Sequence, residues 1–277
     1  MMKGQYQKTI NLYEKVLSLR PDYYAAFGNL GYANHYKGNF REAFRWFQQH
    51  LKTSLKFRAT TCVGIGCIYR HLGDFEKAKI WFNKGFEIQP DHSDVKIGLI
   101  KLDILNGDYK KAISLCKQAF SESYYDSTKF LILAGSAEIL ANNNVQAKKY
   151  FAKVKKTDII LDEFWSGYLY CKLLEEKQAQ NLVQAYLDFY LKRVGQTDDW
   201  WYRYSIASLY AFKGNKNESY TWLEKAKEKG WKDYKLASID PMFENMRQER
   251  KFQQVLNDLK NKCNKILKQI EEMENDL

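Results

Sequence analysis

The chain has 277 residues, with 44 Lys and Arg against 33 Asp and Glu and a formal charge of +11. Three prolines and fifteen glycines leave few helix breakers, and no apolar run approaches the roughly 18 to 20 residues needed to span a bilayer. The start, MMKGQYQKTI, lacks the apolar core of a secretory signal, so the expected location is the cytoplasm unless sequence upstream is absent.

Gly4, Gly38, Gly73 and Gly107 are spaced by 34, 35 and 34 residues, and each opens the same phrase: GQYQKTI, GNFREAF, GDFEKAK, GDYKKAI. A period of that length predicts one stacked structural unit. Glycine accepts the left-handed backbone that ends a helix, and the next residue, Gln5, Asn39, Asp74 or Asp108, is placed to cap the following helix. Each phrase therefore reads as a tight turn between antiparallel helices. Ala43, Ala78 and Ala112 are small enough for a close helix crossing, and Tyr6, Phe40, Phe75 and Tyr109 supply bulk beside it.

With these glycines as position 15 of a 34-residue frame, position 7 reads Leu30, Ile65, Leu99 and position 8 reads Gly31, Gly66, Ile100. Position 24 reads Tyr13, Phe47, Phe82, Cys116, and Pro21 and Pro90 both fall at position 32, where proline stops the second helix. As a set these residues resemble the tetratricopeptide repeat family. The resemblance implies an all-α fold, an α-solenoid of stacked antiparallel helix pairs forming a superhelix and closed by a C-terminal capping helix.

The frame divides residues 1–230 into a half repeat at 1–23, repeats at 24–58, 59–92, 93–127 and 128–158, a degenerate unit at 159–199, and a last unit at 200–230. Asn142 takes the glycine slot of the 128–158 repeat. The degenerate unit, with Phe164, Trp165, Tyr168 and Leu169 and then Ala185, Phe189 and Val194, has no glycine turn, and a longer first helix is expected there. The first repeat starts near position 15 and lacks its first helix, so the expectation is either an orphan helix at the start of the protein or sequence upstream that is absent here. Residues 231–277 are similar to the closing segment of many bacterial arrays of this family, through Asp240-Pro241 and the series Phe243, Arg247, Phe252. A stacked array needs a terminal element with one polar face, so the segment is expected to cap.

Five cysteines without a CxxC pair read as reduced thiols in a helical core. Lysines gather at Lys148, Lys149, Lys153, Lys155 and Lys156 and again at Lys260, Lys262, Lys265 and Lys268. Such runs form solvated surface or attract an acidic protein, an anionic surface or nucleic acid. The arginine and aromatic interleaving of base readers is not evident, which sets nucleic acid behind protein as a partner. No glycine-rich phosphate loop, HExxH or GxSxG occurs, and no enzymatic activity or cofactor is expected. His35 and His71 fall at positions 12 and 13 of neighbouring first helices, with Cys67 one turn before His71, but they lack a fourth ligand, so no metal is expected.

In the family that the chain resembles, positions 2, 5, 9, 12 and 13 of successive first helices line a concave groove. Transferred here, they nominate Tyr32, His35, Tyr36, Arg70, His71, Lys101, Lys129 and Tyr204 as a surface for an extended peptide or partner helix. Chaperone-tail clamps of the family carry Lys at position 5 and Asn at position 9; Gly28 with Tyr32, and Val63 with Cys67, stand there instead. The expected function is a non-catalytic protein-interaction scaffold, with a regulatory or sensor module of a larger signalling or transcription-control protein as the alternative. Phe252, Leu256, Leu259, Cys263, Ile266, Ile270 and Met273 form a coiled-coil-like seam, and Cys263 to Met273 are expected to project past the array and pair with a partner or a dimer mate.

Overall fold

A computed structural model describes residues 4–53, 58–122, 127–154 and 173–275. Among these residues the regular structure is helical and no strand occurs. The helices are α1 (Tyr6–Leu19), α2 (Ala25–Tyr36), α3 (Phe40–Thr53), α4 (Arg58–Leu72), α5 (Phe75–Ile88), α6 (Ser93–Leu105), α7 (Tyr109–Glu122), α8 (Ser127–Leu140) and α9 (Asn144–Phe151). They continue with α10 (Glu176–Val194), α11 (Trp200–Phe212), α12 (Lys216–Glu228), α13 (Tyr234–Ile239), a 3-10 turn at Pro241–Phe243, and α14 (Arg250–Asn275). The segment 155–172, with Phe164, Trp165, Tyr168 and Leu169, lies outside the described residues, so the longer first helix expected there is not described.

One turn recurs. Gly4, Gly38, Gly73, Gly107 and Gly214 have φ between +78° and +85°, and Asn142, in the glycine slot, has φ +61°. The next residue donates its N–H to the carbonyl five residues back, as Asn39 to Asn34, Asp74 to Tyr69, Asp108 to Asp103, Asn143 to Glu138 and Asn215 to Tyr210. Its own carbonyl then accepts from the small residue at position 20: Ala43, Ala78, Ala112, Ala147 or Ser219. The backbone thus closes one helix and starts the next within a few residues. Side-chain capping is less regular than expected. Asp74 and Asn215 cap the N–H groups of Lys77 and Glu218, whereas the Gln5 side chain makes no cap and Asn39 spends its amide on Asn34.

The hairpins stack because aromatic rings meet glycines. Phe47 of α3 is fully buried between Gly31 of α2 and Gly64 of α4, where an added Cβ would lie 2.5 Å and 2.7 Å from ring atoms. Phe82 fills the same place against Gly66, and Phe151 against Gly135. Any side chain at these glycines would push the helices apart, so the close stacking depends on their being bare.

The chain forms two compact units, residues 1–85 with 189–277, and residues 86–188. In the second, α6, α7, α8 and α9 pack in sequence, and residues 130–139 of α8 are buried throughout. In the first, the C-terminal segment returns to the N-terminal repeats. The Asp198 N–H donates to the Gly4 carbonyl at 2.7 Å, the Lys232 ammonium donates to the carbonyls of Gly38 (2.8 Å) and Gly230 (3.2 Å), and α14 packs on α3 and α4.

That return corrects the expectation for the end of the chain. Cys263 and Ile270 are completely buried, Tyr69 Oη donates to Glu274 Oε1 at 2.6 Å, and Lys77 pairs with Glu271 at 3.0 Å. The seam from Phe252 to Met273 is real, but α14 packs back on α3 and α4 instead of running beyond the array, so the face expected to pair with a partner or a dimer mate lies against the chain itself. The Phe243 and Phe252 rings meet at 5.1 Å, and Arg247 donates to the Asp240 carbonyl at 2.9 Å.

Candidate partner-binding surface

Six of the eight nominated residues lie in the first unit, on α2, α4 and α11. His35, Arg70 and His71 are buried, and Arg70 and His71 meet Asp233 and Trp200 of the chain's own C-terminal part. Arg70 Nη1 lies 3.3 Å from Asp233 Oδ2, Arg70 Nη2 donates to His71 Nε2 at 2.7 Å, and His71 Nδ1 meets His35 Nε2 at 3.0 Å. The Trp200 ring stands edge-on to His71 with centroids 5.7 Å apart.

The proton positions follow from the arginine. A guanidinium only donates, so His71 Nε2 accepts, its Nδ1 carries the proton, and that proton is donated to His35 Nε2. The remaining proton of His35 then sits on Nδ1, which is buried without a hydrogen-bond partner. Asp233 Oδ2 is also 3.6 Å from His71 Nε2, but a protonated His71 would set two donors against each other at 2.7 Å, so the carboxylate's ionic partner is Arg70. Burial lowers His35 from its ordinary 6.5 to about 3, with Arg70 adding to the effect. Burial also raises Asp233 from 3.8 to about 6, against the opposing pull of Arg70. Asp233 Oδ1 caps α13 by accepting from the Leu236 N–H.

Tyr204 is buried too. Its hydroxyl donates to Asp240 Oδ2 at 2.6 Å, and its ring packs on Trp231 and Phe243 with centroids 5.1 Å and 5.7 Å away. Tyr32 and Tyr36 are half-buried: Tyr32 Oη donates to the Thr60 carbonyl, and Tyr36 stacks on Tyr6 at 5.3 Å. Arg70, His71, His35 and Tyr204 are therefore part of the packing of this unit, not the wall of an open channel. Asp233 and Trp200 complete the cluster, and nothing near them in the sequence marks them as partners of residues so distant in the chain.

Lys101 and Lys129 belong to the second unit, on α6 and α8, two first helices that pack together. Lys129 is exposed, and Lys101 and Ile97 are half-buried, while Ile104, Ile132, Ser136 and Ile139 are buried. Among the described residues no group of three His, Cys, Asp or Glu side chains is arranged to hold a metal ion, and no helix is long and apolar enough to cross a membrane.

Stacked helix pairs joined by one repeated turn define an α-solenoid. Residues 59–92, which contain the α4–α5 hairpin, match the tetratricopeptide repeat family, and the fold is the α-solenoid of that repeat. Among solved structures the chain is similar to one in the APC/C hetero-tetramer Cut9-Hcn1, at 14% identity and a TM-score of 0.55, covering 95% of this chain and 50% of that one. It is also similar to a tetratricopeptide repeat protein from Parabacteroides merdae (15% identity, TM-score 0.45, 87% and 98% covered). A human IFIT1 dimer with m7Gppp-AAAA gives 15% identity and a TM-score of 0.47, with 78% and 57% covered. The chain thus spans about half the length of the first of these. At these identities the likeness is one of fold. No curated protein matches the sequence.

Proposed function

We propose that the chain is a non-catalytic protein-interaction scaffold and that its partner lies on the first helices of the 86–188 unit, across Ile97, Lys101 and Lys129. The observation that supports this reading is exposure: Lys129 is exposed and Lys101 and Ile97 keep part of their surface, whereas Arg70 and His71 of α4 are buried against Asp233 and Trp200. A half-buried isoleucine flanked by two lysines suits an extended acidic peptide or the acidic face of a partner helix. Long lysine stems supply apolar cover while their charges steer the partner and set its register.

The test is affinity capture with the full chain and its Lys101→Glu/Lys129→Glu double variant, partners being identified by mass spectrometry. The melt of the variant is recorded alongside the capture, and a partner that binds this surface should be lost from a variant that remains folded. Recovery of the same partners with the double variant would refute the placement.

A further inference from the structure

We propose that the outer face of α14 binds single-stranded nucleic acid by its phosphates and that a cleft beside α13 receives one base. This surface belongs to the unit of residues 1–85 with 189–277 and shares no residue with the one proposed above. From residue 260 to residue 269 every exposed side chain of α14 is lysine, asparagine or glutamine, and the lysines are Lys260, Lys262, Lys265 and Lys268. At 100° per residue the four spread over about 200° of the helix, while Leu259, Cys263, Ile266 and Ile270 take the opposite side. None of the four lysines makes an ion pair among the described residues, and Glu271 and Glu274 beyond them are held by Lys77 at 3.0 Å and 3.4 Å. Asp258 and Glu272 flank the stretch, one acid at each end, and leave it basic.

The α4–α5 turn, α13 and α14 border an open cleft of about 390 Å³ whose apolar lining is Leu72, Phe75 and Leu267. Asn264 also lines it, and Lys260 and Lys268 stand one turn to either side of Asn264 on the same face of α14. Lys235 of α13 adds to the basic side, with its ammonium 5.5 Å from the centre of the Phe75 ring. Asp74 and Glu76 line the cleft at the start of α5. Phosphates are thus drawn toward α13 and α14 and repelled from α5, which turns the base of a bound nucleotide to the apolar lining.

The make-up of the face selects the polyanion. Protein interfaces centre on aromatic, methionine and arginine side chains and are depleted in lysine, and this stretch exposes no apolar residue. A membrane-surface helix inserts its apolar stripe, whereas the stripe of α14 lies against the chain itself, with Cys263 and Ile270 completely buried. A duplex is a stiff rod that meets only part of so wide an arc of lysines; a flexible single strand follows it.

The probe is a labelled oligothymidylate of about 15 nucleotides, and its binding to the full chain is read by fluorescence anisotropy. With about four phosphates neutralised, the logarithm of the association constant should fall against log salt with a slope of about −2.8, a loss of roughly 50-fold between about 50 and 200 mM. Lys262→Gln/Lys265→Gln/Lys268→Gln, at exposed positions, should make the slope shallower by about 2. Lys148→Gln/Lys149→Gln/Lys153→Gln removes the same charge from exposed positions of the other unit and should leave the slope as in the parent chain. The melts of both variants are recorded alongside. An abasic oligomer with the same number of phosphates should bind the parent chain roughly fivefold more weakly, because it has no base for the cleft. No binding, a slope that the two triple variants change alike, or equal affinity for the abasic strand overturns the proposal. Polyglutamate that displaces the strand at equal charge overturns it in favour of an acidic protein, and tighter binding of a duplex of the same length does so in favour of double-stranded nucleic acid.

Discussion

Gly38 and Gly107 hold the same place in the repeat and nearly the same backbone, φ +78° and +83°, so a purely local account makes their alanine variants equivalent. Alanine in the left-handed region costs about 1 to 2 kcal/mol over glycine, and at Gly107 that is the whole expected effect, since nothing lies within 4 Å of the added Cβ. At Gly38 the added Cβ falls 2.7 Å from both Cα and the carbonyl carbon of Gly230, with the carbonyl oxygen closer still. Ordinary carbon contacts are about 3.5 to 4.0 Å, so the two turns must separate by about 1 Å. That shift strains the Lys232 ammonium, which bridges the Gly38 and Gly230 carbonyls at 2.8 Å and 3.2 Å. Overpacking typically costs about 1 to 3 kcal/mol, which puts Gly38→Ala at about 2 to 5 kcal/mol in all. Urea unfolding followed by circular dichroism should show a clearly lower midpoint for Gly38→Ala than for Gly107→Ala. Equal midpoints would mean that the turns at Gly38 and Gly230 do not touch in solution, and the closure of the first unit would fall with them.

The hydroxyl of Ser219 is buried without a partner at a position that is alanine in four other repeats, so Ser219→Ala should raise stability by about 1 kcal/mol; an unchanged or lowered midpoint counts against that packing. Asp233→Ala removes the counter-ion of a buried guanidinium and should cost about 3 to 5 kcal/mol, whereas the Arg70→Met/Asp233→Asn pair should cost less in the same assay. Two buried groups pull the pH dependence in opposite directions. Neutral His35 contributes stability that is fully present above its ordinary 6.5 and is lost as pH falls toward about 3. Asp233, raised to about 6, contributes stability that is present below 3.8 and lost as pH rises through 6. A His35→Gln variant should therefore gain about 1 to 2 kcal/mol relative to the parent chain between pH 7 and pH 5; a relative loss over that interval would show that His35 is not held neutral.

The helix pairs were legible in the sequence because their determinants are local and repeated. The turn glycine, the small residue at position 20 and the ring at position 24 act within one hairpin and its neighbour, so Gly73, Ala78 and Phe82 identify their roles by spacing alone. Asn142 shows how far this reaches: its slot called for a left-handed backbone, and the asparagine adopts one. The same frame nominated Arg70, His71 and Tyr204 as groove residues because they occupy the inner positions of first helices. Whether an inner position faces solvent depends on where the distant chain goes, and no local pattern encodes that. Asp233 follows Arg70 by 163 residues, and Glu274 follows Tyr69 by 205. The stripe on α14 announced an apolar seam, but apolar burial has no direction, and a seam of that kind is satisfied equally by a dimer mate, a partner or the same chain. Periodicity by itself determined the repeated helix pairs and their close crossings; only the tertiary structure decided that residues 189–275 return to α2, α3 and α4, because the apolar seam of α14 gains burial on any matching surface and the chain's own repeats supply one.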